Sequence, residues 1–148
     1  VNYSTHVQKE GWQQIVKNGE ISGTIGKSFR LEAIKINLSN QKYSGNIQYS
    51  THIQNIGWQS AKKNNQISGT EGLSKRLEAI KIELTGEMAT YYDIYYRVHA
   101  QTYGWLGWAK NGNPAGTEGL SKRLEAIEIK IVSKGSKPPS GSGSAYIK

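Results

Sequence analysis

YSTHIQNIGW, from Tyr49 to Trp58, is the stretch that decides the fold, because the chain writes it three times. The other copies are YSTHVQKEGW at Tyr3–Trp12 and YRVHAQTYGW at Tyr96–Trp105. A second motif follows each at a fixed distance: SFRLEAIKI ending at Ile36, SKRLEAIKI ending at Ile82 and SKRLEAIEI ending at Ile129. His6 to Arg30, His52 to Arg76 and His99 to Arg123 each span 24 residues. The chain is therefore one unit used three times, over 1–46, 47–93 and 94–132. A unit of about 46 residues buries too little apolar surface to stand alone, so the copies are expected to pack on one another.

Within the quoted stretch the side chains alternate. Ile47, Tyr49, Thr51 and Ile53 share one parity, Gln48, Ser50, His52 and Gln54 the other, and the first and third copies repeat this. Period-two alternation in a β-branched and aromatic run predicts a half-buried strand. It also places His6, Gln8, His52, Gln54, His99 and Gln101 on the face away from the core, as candidate ligand-binding residues. The Gly-Trp steps Gly11-Trp12, Gly57-Trp58 and Gly104-Trp105 read as bulges or turns that swing an indole inward. On that reading Trp12, Trp58 and Trp105 are core mass; a sugar-stacking platform is the alternative. Trp108 has no counterpart, since Ile15 and Ala61 hold the matching positions, and is the better candidate for an exposed aromatic.

Lys17-Asn18-Gly19, Lys63-Asn64-Asn65 and Lys110-Asn111-Gly112 supply the left-handed conformers of tight turns, each leading to a short strand ending in Gly-Thr. The RLEAIKI strand has a broken parity. Either a bulge near Ala33 resets it or the strand begins only there. Arg30 with Glu32, Arg76 with Glu78 and Arg123 with Glu125 share a face and could pair with each other or with the neighbouring copy; a structural role at the seam between copies is the favoured reading.

Beyond the third copy, residues 133–144 form a Gly/Ser/Pro-rich linker and 145–148 a candidate closing strand. Joining Lys148 to Val1 in imagination reproduces the approach to the third copy, with Tyr146 in the place of Tyr91. That suggests a ring closed by pairing of the N- and C-terminal strands, with no exposed sheet edge; a loose tail is the alternative. The expected architecture is all-β and pseudo-threefold, β-trefoil-like with β-prism-like as the alternative, 1–148 forming a single domain. A linear array of three beads is the remaining possibility.

The net charge of +8 points to an anionic partner. The basic residues are scattered, which makes nucleic acid an unlikely one. The chain has no cysteine, so disulfides and thiolate metal sites are excluded. No apolar run is long enough to span a bilayer, so no membrane insertion is expected. The chain begins at Val1, and a removed export signal or a cut from a longer protein is expected. Three histidines in equivalent places form no asymmetric constellation, so no enzyme is expected. Their spacing matches no metal-ligand motif, and no cofactor is expected.

THVQKEGW followed by SGTIGKSFRLEAIKI resembles the clostridial hydrophobic repeats with a conserved tryptophan, the ChW repeats, over about residues 1–132. Trp12, Trp58 and Trp105 match the signature residue. The resemblance implies a binding role in a secreted or cell-surface bacterial protein, because such repeats accompany wall-lytic enzymes, proteases and adhesive modules. The expected partner is a cell-wall glycan or anionic wall polymer, with a protein ligand in adhesion or assembly as the alternative. Tyr92, Tyr95, Tyr103 and Trp108 are the aromatic residues expected to stack on it. Arg97-Val98, Ala115 and Trp108 set the third copy apart from the others.

Overall fold

Each copy lays down five strands in the same order in the computed structural model, which describes residues 1–148. Copy one carries β1 (Asn2–Val7), β2 (Gly11–Trp12), β3 (Val16–Lys17), β4 (Ile21–Gly23) and β5 (Leu31–Asn37). Copy two carries β6 (Ile47–Ile53), β7 (Gly57–Trp58), β8 (Lys62–Lys63), β9 (Ser68–Gly69) and β10 (Leu77–Leu84). After the short helix α1 (Glu87–Tyr91), copy three carries β11 (Tyr92–Ala100), β12 (Gly104–Trp105), β13 (Ala109–Lys110), β14 (Ala115–Thr117) and β15 (Leu124–Ser133). A last strand, β16 (Tyr146–Ile147), ends the chain. The fold is all-β but for α1, on which Met88 is buried.

The strands form three separate sheets and no barrel. In each sheet the quoted strand runs antiparallel to its own RLEAI strand, with the Gly-Trp strand on its other side. The strand before Gly-Thr leaves its own copy. β9 pairs with β5 of copy one, β14 with β10 of copy two and β4 with β15 of copy three. The turn before it redirects the chain: Asn64, Asn65, Asn111 and Gly112 all have positive φ, a region open chiefly to Asn and Gly. Every copy thus completes its neighbour's sheet, in cyclic order. One cluster of 23 buried residues draws on all three copies, so the core is shared.

The ring closes at β4–β15, within the repeats, and the expected pairing of N- and C-terminal strands does not occur. β16 instead runs parallel to β14, Gly116 opposite Tyr146 and Thr117 opposite Ile147. Its approach is also hydrogen-bonded: the Gly107 amide donates to the Ser144 carbonyl at 3.0 Å and the Gly116 amide to the Ala145 carbonyl at 2.9 Å. β14 had a free edge to offer, whereas both sides of β1 were already taken, by β2 and β3 on one and by β5 on the other.

Tyr3, Tyr49 and Tyr96 rivet the seams. Each is essentially fully buried. The Tyr49 hydroxyl accepts from the Ile36 amide of copy one at 3.1 Å, and the Tyr3 hydroxyl from the Ile129 amide of copy three at 3.1 Å. Each also donates to a carbonyl in its own copy: Tyr3 to Glu20, Tyr49 to Gln66 and Tyr96 to Asn113.

Asp93, only 1 % exposed, ties the tail of β15 back to the start of β11. Its carboxylate accepts from the Asn111 amide at 2.9 Å, the Lys134 ammonium at 3.0 Å and the Gly135 backbone amide at 2.9 Å. These bonds, that from Asn111 first, hold its pKa far below the usual carboxylate range. A depressed folded pKa stabilises above the unfolded value and is lost as pH falls through the folded one. Asp93→Asn is expected to cost about 3 kcal/mol at neutral pH. The gap between variant and parent should close steadily below about pH 4; urea unfolding across pH 2–7 checks it, and a pH-independent gap would assign the cost to shape alone.

Candidate functional site

The broken parity of RLEAIKI is a β-bulge, as one of the two sequence readings expected. His6 opposes Ala33 while Val7 opposes Leu31, leaving Glu32 as the extra residue. Glu78 and Glu125 are skipped in the same way. The bulge turns the glutamate inward, so Leu31, Glu32, Ala33 and Ile34 are all buried in succession. A buried carboxylate needs partners for both oxygens. Glu32 finds them in its own copy: His6 Nδ1 at 3.0 Å on Oε1 and Arg30 Nε at 2.9 Å on Oε2. His52–Glu78–Arg76 and His99–Glu125–Arg123 repeat the triad. The arginine–glutamate pairs are therefore made within each copy, and not across the seam.

Each histidine also meets its tryptophan edge-on, with ring centroids 5.4 Å apart in all three copies. A cation lies over the indole: Lys35 at 4.5 Å from Trp12, Lys81 at 4.2 Å from Trp58 and Arg97 at 4.5 Å from Trp105. In copy three the charges are exchanged across the strand pair. Arg97 stands where the others have Ser4 and Ser50, and Glu128 where they have Lys35 and Lys81. Arg97 bonds to Glu128 at 2.6 Å, so the cation over the ring is preserved from the opposite strand.

Trp12, Trp58 and Trp105 are half-buried and lie outside the core, correcting the reading of them as its main mass. The core places are held by Tyr3, Tyr49 and Tyr96 with Ile, Leu and Val. An indole N–H wants a polar partner, and two find one across a seam. Trp12 Nε1 donates to Glu71 at 3.0 Å and Trp58 Nε1 to Glu118 at 3.1 Å. The position equivalent to these glutamates for Trp105 is Ile25, which offers no acceptor. Donation from Tyr146 and Trp58 holds the Glu118 carboxyl below its usual range. Burial and that same glutamate push the Tyr146 phenol up to about 12.

Beside each cation-capped indole, copies one and two open a groove. The first, about 310 Å³, is lined by Asn2, Ser4, Ile15, Lys35, Asn37 and the neighbouring copy's Asn65, among others. The second, about 190 Å³, uses the equivalent Gln48, Ser50, Ala61, Lys81 and Glu83, with Gly112 from copy three. In copy three the matching positions are Tyr95, Arg97, Trp108, Glu128 and Lys130. Tyr95 is 4 % exposed, which removes it from the expected ligand-facing set. Trp108 is half-buried, its Nε1 donating to the Ser140 carbonyl at 3.0 Å and Arg97 5.0 Å from its ring. The tail therefore lies against the aromatic expected to be free.

Of the other candidates, Tyr92 is half-buried against Tyr43, 6.0 Å between centroids. Tyr103 is exposed in the turn after β11. Gln8, Gln54 and Gln101 are half-buried, and each accepts the backbone N–H of its copy's arginine at 3.2–3.3 Å. No group of three His, Asp or Glu side chains is placed to hold a metal. The two grooves were not legible beforehand, because each takes a residue from the next copy. The signal that existed was the small side chain of Ala61 against Trp108.

Compared with protein-family models, the chain matches Clostridial hydrophobic W at residues 6–40, 52–86 and 99–133. No curated protein and no solved structure matches it.

Proposed function

This chain belongs to the Clostridial hydrophobic W family, and from that premise we propose that it is a non-catalytic binding module of a secreted or surface bacterial protein. It recognises cell-wall polymer or another carbohydrate through weak, repeated sites. The observation that carries this reading is the recurrence of one shallow polar groove in copies one and two. In the first groove the amides of Asn2, Asn37 and Asn65 suit sugar hydroxyls, and Ile15, 68 % exposed, suits the apolar face of a pyranose. Two weak sites on one body gain by avidity on a polymer that presents the same group repeatedly. The net charge of +8 adds attraction to an anionic wall polymer. Copies one and two present the groove, which gives a multiplicity of two. The shared core supports 1–148 acting as one domain, and the three separate sheets favour a β-prism-like closure over a β-trefoil-like one.

The test is co-sedimentation with Gram-positive sacculi, before and after stripping of secondary polymers, at low and high salt. The double variant Ile15→Ala with Asn37→Ala is compared with the parent chain. Binding that survives stripping and salt but weakens roughly tenfold in the variant supports glycan recognition in the groove. Loss on stripping or in salt points to the anionic polymer and charge attraction.

A second reading, adhesion to or assembly with a protein, rests on apolar side chains left in solvent. Ile25, Ile56, Leu73 and Tyr103 are 49 %, 51 %, 58 % and 43 % exposed, on the loops beside the basic triads. Absence of sedimentation under every condition would move this reading to first place.

A further inference from the structure

Away from the grooves, one depression is lined by nine residues, three equivalent ones from every copy: Gln8, Ser28 and Arg30, Gln54, Ser74 and Arg76, Gln101, Ser121 and Arg123. Only a place where all three copies converge can be lined in this way, so the depression lies on the pseudo-threefold axis. It has a volume of about 480 Å³ and no apolar side chain in its wall.

Its hydrogen-bonding balance is one-sided. Each guanidinium has five N–H donors and spends Nε on the glutamate behind it. In copy three Nη2 also lies 2.9 Å from that carboxylate. At least three donors per arginine are therefore left over. The glutamine carbonyls are occupied by the arginine backbone N–H groups, which leaves their NH2 groups to donate. The Ser28, Ser74 and Ser121 side chains are exposed, make no hydrogen bond within the protein, and sit on residues with φ of 59°, 55° and 56°. The carboxylates behind these donors, Glu32, Glu78 and Glu125, are buried and committed on both oxygens. Lys75 and Lys122 on the same loops add positive charge, while Lys27 is paired with Glu10 at 3.0 Å.

The geometry points to an axial site for one tetrahedral oxyanion, a terminal phosphate or sulfate whose three equivalent oxygens each meet one arginine. Arginine forks match such oxygens in pairs of N–H bonds. A phosphodiester offers two non-bridging oxygens and leaves one arginine unmatched, so a monoester is preferred. The site takes one anion per chain, because all three copies build it together. It stands or falls independently of the grooves.

The experiment is a nuclear magnetic resonance titration of the full chain, following the Arg30, Arg76 and Arg123 Nε–Hε signals and the Gln8, Gln54 and Gln101 side-chain amides. The probes are inorganic sulfate, glycerol 3-phosphate as monoester and glycerophosphocholine as diester, with sodium chloride at matched ionic strength as control. The expected result is saturable movement of all three arginines on one isotherm, one anion per chain, with the diester at least tenfold weaker than the monoester. Sulfate saturating alongside the monoester identifies the anion itself as the ligand, while saturation by the monoester alone assigns part of the recognition to its ester group. Ser74→Asp places a like charge in the wall while touching no hydrogen bond of the fold. It is expected to weaken binding at least tenfold, with the amide spectrum outside the loops unchanged. Shifts reproduced by chloride, three separate isotherms, equal binding of the diester, or undiminished binding by Ser74→Asp would each overturn the assignment.

Discussion

Gly69→Val is expected to leave the chain unfolded, or so destabilised that no cooperative transition survives. Gly69 pairs with Ala33 where copy two enters the sheet of copy one. Its φ is 110°, and a Cβ there would stand 2.4 Å from the Glu32 carbonyl oxygen and 2.6 Å from the Ala33 Cα. Both are backbone atoms of the paired strand, and no rotamer moves a Cβ. Relief requires breaking the exchange that completes the neighbouring sheet. Gly23 against Ala126 and Gly116 against Ala79 repeat the arrangement with the same closeness. We expect a loss above about 4 kcal/mol, in the range of core-disrupting substitutions, against a typical total of roughly 5–15 kcal/mol. Gly26→Ala is the control: φ is 84°, and nothing lies within 4 Å of an added Cβ. It carries only the left-handed backbone cost of about 1–2 kcal/mol. Denaturant unfolding followed by circular dichroism separates the two, and equal losses would show that strand exchange is not the constraint.

The second large effect is alkaline unfolding between pH 10 and 12. Burial pushes the Tyr3 and Tyr96 phenols up to about 12 and raises Tyr49 as well. For a group that is neutral when protonated, a raised folded pKa stabilises fully below the unfolded value near 10. That stabilisation is lost as pH rises through the folded value. A two-unit shift corresponds to about 3 kcal/mol for each of Tyr3 and Tyr96. Together they approach the stability of an ordinary domain. Tyr96→Phe should cost about 1–3 kcal/mol at pH 7, where the Asn113 carbonyl loses its donor, yet reduce the further loss between pH 10 and 12. Unfolding midpoints in urea at pH 7, 10 and 12 decide it. An identical alkaline slope in parent and variant would show that the buried phenols do not open the ring.

Much of the candidate site was written locally. The shared face of His52 and Gln54 follows from strand parity, and the parity break at RLEAI marked the bulge that buries Glu32, Glu78 and Glu125. What each of those residues would touch did not follow. A glutamine on a polar face reads as a free ligand contact, yet Gln8 is bound by the Arg30 amide, which only the bulge brings within reach. Tyr95 looks like a surface aromatic, because its counterparts Asn2 and Gln48 are polar. It is 4 % exposed, in a copy that carries Arg97, Trp108 and Lys130 where copy one has Ser4, Ile15 and Asn37.

Three copies, their strand parity, the glycine and asparagine turns, the parity break at RLEAI and the absence of cysteine chemistry were all determined by the sequence alone. Each depends on side chains within a few residues of one another, where steric and hydrogen-bonding preferences act without reference to the rest of the chain. Only the tertiary structure decided which sheet β4, β9 and β14 join, that β16 docks on β14, that the indoles stay at the surface, and that three arginines face one depression. A two- or three-residue strand offers the same backbone N–H and C=O groups to its own copy as to the next. Its partner is chosen by the close fit of a glycine such as Gly69 over an alanine such as Ala33, and that fit exists only after the copies have met.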